Sequence, residues 1–238
     1  MCTFGSHDKT LDECSKGCNR IPQPWTNSSA SNGSTVCNFK IVQWNFTATH
    51  GEDKYLIMAD GLHIEMPAFK IIGNWLDESG WTTVIFNAGI ATRGVADSLL
   101  KATHVTRTRH AHQITDASLS ILQHDAYERY KETLIVGENV LDFTDWCVKM
   151  RAEQPQFKYW SFVLEMELII FQIIESIRTG NFMSYRESLS MFIPWVFSFD
   201  HINYARWLSL HIRDMFSVSE THPVIYKEFV AGKCQCKR

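Results

Sequence analysis

Residues 157–178 constrain the fold more than any other part of this chain. Phe162, Leu164, Leu168, Ile169, Phe171, Ile173 and Ile174 make the segment apolar nearly all round. A helix of that kind lies at the centre of a domain. Gly180 follows as its natural C-terminal cap. Glu165 and Glu167 interrupt the apolar run. A carboxylate in apolar surroundings is costly unless paired. Each is therefore expected to have a structural partner, with Arg151, Lys158, Arg178 and Arg206 as the candidates. The two charges also argue against a membrane span here, and the next most apolar run, residues 189–199, is too short for one.

Helical periodicity recurs around this segment. Ile64, Ala68, Ile71, Ile72 and Trp75 repeat at helical spacing after His63, with Pro67 expected in the first turn and Gly80 as a stop. Residues 92–100, 106–132 and 142–153 read as helices, the last closed by Pro155. Pro194 is expected to kink or break the helix over 185–199. Helices over 201–216 and 221–230 complete the series. Two stretches read as strands: residues 40–46 (KIVQWNF) and 55–58, the second running into the helix after His63. Residues 81–88 are ambiguous between strand and helix. The expected fold is mainly α-helical, with a small β element near residues 40–60. Residues 1–37 read as a polar, Cys/Ser-rich tail, 38–232 as one helical domain and 233–238 as a frayed end.

With 45% hydrophobic residues the chain can bury a substantial core, and a formal net charge of -3 excludes a uniformly basic nucleic-acid coat. No secretory signal is visible, and the seven cysteines are an odd number. Together these point to reduced thiols and an intracellular location, cytoplasmic or nuclear. Cys14 and Cys18 form one zinc-type pair, whereas a zinc knot needs two. Cys2 and Cys37 add no second pair, and Cys234 and Cys236 are too close-set. The sequons at Asn27, Asn32 and Asn45 read as chance products of a Ser/Asn-rich stretch.

Three side chains crowd the strand-to-helix junction: Asp60, His63 and Glu65. They are the candidate catalytic residues, since two carboxylates and an imidazole at a helix start suit acid–base work. His63 and Glu65 are the candidate ligands for a metal. Capping by Asp60 and dipole complementation by Glu65 explain the same residues without chemistry. The string KATHVTRTRHAH offers a second candidate. Lys101, Arg107, Arg109 and His110 supply cations among threonine donors, as contact with a nucleic-acid backbone requires. A solvated polar face explains these too. Arg206 and Arg213 lie a heptad apart, roughly on one helix face, and are suited to an acidic partner. No Walker A loop, G-x-G-x-x-G, G-x-S-x-G or HExxH motif occurs.

Three long strings, ADGLHIEMPAFKIIGNWLDESGW, ADSLLKATHVTRTRHAHQIT and FSFDHINYARWLSLHIRDMFSVSETHPVIYKEF, resemble a group of uncharacterised, mobile-element-like proteins abundant in invertebrate genomes. The resemblance covers residues 40–232. It implies a transposase-related domain of unknown function. A transposase-type nuclease implies in turn an RNase-H-like α/β core holding acidic residues around two metal ions, Mg²⁺ or Mn²⁺. The family pattern has an Asp-Gln-Pro segment before the stretch matching residues 41–44 and a His-Glu-Gln segment after the stretch matching 227–232. This chain has neither, and has Asp60 where the pattern has Gly. His63 and Glu65 match it. The chain is therefore expected to be an internal fragment whose RNase-H-like core is completed by missing segments.

The expected function is that of a non-catalytic, mobile-element-derived fragment with some affinity for DNA or RNA and no cofactor. The alternatives are a metal-dependent nuclease, and a helical interaction module that self-associates. No membrane partner is expected.

Overall fold

The computed structural model describes residues 3–5, 33–134, 139–199 and 202–232. The fold is mainly α-helical. The chain divides into two compact units. Unit 1 comprises residues 1–64 and 173–238, and unit 2 comprises residues 65–172.

Unit 1 opens with β1 (Thr3–Gly5), α1 (Gly33–Asn45) and the one-turn α2 (Thr47–His50). Strand β2 (Tyr55–Ile57) follows and pairs antiparallel with β1, Phe4 opposite Leu56. Later in the chain this unit holds α9 (Phe182–Ser198), α10 (Ile202–Thr221) and α11 (Pro223–Val230). Helix α9 is capped by Asn181, whose side chain accepts from the Ser184 N–H at 3.1 Å. Leu189, Phe192 and Val196 of α9 are buried, as are Trp207, Leu208, Met215 and Val218 of α10 and Phe229 of α11.

Residues 40–46 are a correction to the sequence reading: they lie in or beside α1 and form no strand. The burial pattern gives the reason. Lys40 and Gln43, one helical turn apart, are buried, whereas Ile41 and Trp44 are half exposed. Gln43 Nε2 donates to the Tyr55 carbonyl at 2.6 Å, and Lys40 reaches Glu52 and Asp214. These polar contacts need helical spacing, and they outweigh the strand preference of Ile, Val and Trp.

Unit 2 contains α4 (Trp81–Asn87), α5 (Arg93–Leu100), α6 (Val105–Thr133) and α7 (Phe143–Glu153). The unit boundary falls within α3 (Gly61–Leu76) and within α8 (Pro155–Thr179). Residues 81–87 are helical because Gly80, at φ +85°, turns the chain and places Trp81 and Ile85 on one buried face. Asp142 caps α7, accepting from the Asp145 N–H at 2.8 Å. An aromatic cluster joins α6, α7 and α8: the Trp146 ring lies 5.3 Å from both Tyr127 and Phe157. Helix α3 approaches the end of α5 through Gly73. A Cβ built there would stand 2.0 Å from the Leu100 carbonyl oxygen.

Helix α3 starts at Gly61, so Pro67 sits in its second turn and not its first. Of the kink or break expected at Pro194 there is no break, since α9 runs through it to Ser198. Helix α7 ends at Glu153 ahead of Pro155, as expected, and Pro155 itself opens α8, where its missing N–H costs nothing. The expected cap at Gly180 is present, with φ at +69°. Asp200, His201, Cys2, Cys14, Cys18, Cys234, Cys236 and the sequons at Asn27 and Asn32 lie outside the described residues.

Candidate functional site

The three junction residues divide between the units. In unit 1, Asp60 and His63 are each more than a third exposed, and His63 Nδ1 lies 3.5 Å from Asp60 Oδ2. In unit 2, Glu65 is nearly buried and faces Arg109. Arg109 Nε and Nη2 donate to its two oxygens at 2.5 and 2.6 Å. This bidentate fork is the strong form of a charged hydrogen bond. It occupies both Glu65 oxygens and both of those Arg109 donors. Among the described residues, no three His, Cys, Asp or Glu side chains gather as a metal site requires.

Of the four basic candidates on the string 101–112, Lys101, Arg107 and His110 are exposed. Arg109 is the one bound to Glu65.

The partner of Glu167 was not among those expected from the sequence. His112 Nδ1 lies 2.6 Å from Glu167 Oε1, and both side chains are fully buried. The imidazole is stacked between Phe69 and Trp81, with ring centroids 4.9 and 5.1 Å away. Burial pushes the Glu167 carboxyl up, His112 opposes that rise, and Asp116 adds to it. The Trp81 indole N–H in turn donates to Thr115 Oγ1 at 2.8 Å. One signal in the sequence points this way. Thr108, Ala111, His112 and Thr115 form a stripe at helical spacing, and all four are buried. Glu165 pairs as expected with Arg151, at 3.5 Å on a partly exposed face.

Beside this buried pair, unit 2 presents an apolar cleft of about 540 Å³ between α6 and α8, with α4 at its side. Ile114, Leu119, Leu122 and Ala126 line it from α6, Phe157, Trp160 and Leu164 from α8, and Trp81, Val84 and Ile85 from α4. Its lip is open. Leu122 is 62% exposed and Val84 63%, and the neighbouring Ile121 is 62% exposed. From Ile114 to Ala126 the α6 wall runs for about 18 Å at the helical rise of 1.5 Å per residue.

Unit 1 carries a polar network. Glu52 Oε1 accepts from Lys40 Nζ at 3.0 Å, Trp44 Nε1 at 3.0 Å and Arg213 Nη2 at 2.6 Å. Burial alone would raise the Glu52 carboxyl, but the hydrogen bonds from Lys40, Arg213 and Trp44 overcome it and hold the group at about 2. Asp214 accepts from Arg213 through Nε and Nη2 and is ion-paired with Lys40. Next to it, His211 is buried, with Nε2 2.8 Å from the Tyr185 hydroxyl, and burial lowers its pKa to about 4.

No helix among the described residues is long and apolar enough to cross a membrane. The family model described as a domain of unknown function, DUF8702, matches residues 120–238, half of the chain. No curated protein and no solved structure matches it.

Proposed function

We propose that this chain, which belongs to the DUF8702 family of domains of unknown function, is a helical interaction module that pairs with a second copy of itself through the α6–α8 cleft of unit 2. The cleft is the observation that carries the reading. The α6 and α8 walls are mainly apolar, interrupted by Ser118, Gln123 and Ser161, with exposed Leu122 and, from α4, Val84 at the lip. Helical assemblies bury such a face against further helices. A second copy supplies an identical pair, and two-fold self-complementary contacts are the commonest way for soluble chains to assemble. Single exposed apolar residues are ordinary on a protein surface, but a clustered apolar patch marks an interaction site.

The expected nucleic-acid surface over residues 101–110 has less support. Arg109 is committed to Glu65, which leaves Lys101, Arg107 and His110 as its exposed members. The nuclease reading lacks a free carboxylate at Glu65.

Light scattering on the size-fractionated full chain tests the proposal. The expected mass is that of a dimer. Leu122→Asp, at an exposed position, should give a folded monomer. Val224→Asp, 74% exposed on α11 of unit 1, should leave the dimer intact. A wild-type monomer at high concentration, or a Leu122→Asp dimer, overturns the reading.

A further inference from the structure

Helices α1 and α10 of unit 1 border a groove of about 590 Å³, lined by Lys40, Ile41, Trp44, Arg206, Leu210 and Arg213. That size is within the range of small-ligand sites. Its cations are not equivalent. Lys40 and Arg213 are balanced by Glu52 and Asp214. Arg206 is exposed and makes no ion pair or hydrogen bond among the described residues, so it is the uncompensated charge of the groove. The Glu52 network also reaches an aromatic surface. Trp44 is 49% exposed, yet its indole N–H is tethered to Glu52 Oε1. This bond holds one edge of the indole and leaves about half of its surface open. Arg213 is fixed in the same way through Nε and Nη2, and its Nη1 makes no bond among the described residues.

A held aromatic surface beside one free and one fixed guanidinium suits a ligand with a planar ring at one end and a phosphate at the other. Bases stack on such side chains whatever their identity, and guanidinium groups match phosphate oxygens in geometry and charge. We propose that the α1–α10 groove binds a nucleoside phosphate, the base on Trp44 and the phosphate between Arg206 and Arg213. The same chemistry is offered by a free nucleotide and by a nucleotide within a single strand. This inference does not rest on the self-association reading, which concerns unit 2.

The test uses the full chain labelled with ¹⁵N, titrated with AMP, with a fluorescein-labelled thymidine decamer and with inorganic phosphate. The Trp44 indole resonance, assigned by its loss in Trp44→Phe, should shift with AMP. Arg206→Glu should weaken AMP binding about tenfold. Trp44→Leu should weaken it about tenfold, and Trp44→Phe, which keeps a ring, should restore most of it. A decamer that binds more tightly than AMP supports the groove as a single-strand site. A decamer no tighter than AMP supports a free-nucleotide site. Arg107→Glu, on unit 2, should change neither. Binding that survives Arg206→Glu, an indole that does not move, or inorganic phosphate that competes as well as AMP overturns the proposal.

Discussion

Replacing His112 by leucine tests whether the buried His112–Glu167 pair is an energetic unit. Leucine keeps the volume of the site between Phe69 and Trp81 but removes the one hydrogen-bonding partner that Glu167 has among the described residues, and the Glu167 side chain is fully buried. Breaking a buried pair in this way costs about 3–5 kcal/mol, because the remaining charge must be buried alone or take up a proton. Glu167→Leu leaves an imidazole without its carboxylate, a smaller loss of about 1–3 kcal/mol. The double variant His112→Leu/Glu167→Leu removes both polar groups. Replacing a buried pair by packed apolar groups is often close to neutral, so the double variant should cost about 1 kcal/mol or less. The singles and the double then define a coupling of about 3 kcal/mol or more, well above the 0.5 kcal/mol or so expected of independent sites. Urea unfolding followed by tryptophan fluorescence is the assay, since Trp81 stacks on the imidazole. A double variant whose cost equals the sum of the singles within about 0.5 kcal/mol refutes the reasoning.

Two further predictions concern local packing and pH. Gly73→Ala in a helix interior would ordinarily stabilise by about 1 kcal/mol. Here the added Cβ meets the Leu100 carbonyl oxygen at 2.0 Å, so the substitution should instead destabilise by about 1–3 kcal/mol, and a raised melting temperature would contradict the α3–α5 approach. For His211 the unfolded chain takes up a proton near pH 6.5 and the native chain only near 4. Between those values the unfolded state holds more protons, so stability falls as pH falls, by at most about 3 kcal/mol. His211→Gln should flatten the melting-temperature profile in that window, separately from Glu52, whose contribution is present above about 4.5 and is lost towards 2. An unchanged slope would contradict a buried neutral imidazole.

The helices legible in the sequence were those whose apolar residues recur at helical spacing and whose ends carry caps. Residues 157–178, with Gly180 behind them, became α8, and residues 142–153 became α7, which Asp142 caps. Residues 40–46 were misread because their apolar side chains are the ones facing solvent. Their fold is set by Lys40 and Gln43, whose partners Glu52, Tyr55 and Asp214 are distant in sequence. Pro194 does not break α9, whose residues Leu189, Phe192 and Val196 are buried on either side of it. At the candidate site, sequence reasoning identified Glu165 and Glu167 as needing partners, and Arg151 was among those named. It missed His112 because a histidine inside a basic string reads as surface, and only the burial of the stripe from Thr108 to Thr115 shows otherwise. Glu65 and Arg109 were assigned to different chemistries. They are 44 residues apart in sequence, and nothing local signals that each is bound to the other.

Concentration-dependent hydrogen exchange tests most directly whether the unit 2 cleft is the self-association surface. Peptides covering residues 114–126 and 157–164 should gain protection as protein concentration rises, and Leu122→Asp should abolish that gain. Protection of these two segments that does not vary with concentration, or a gain confined to unit 1, would contradict the account.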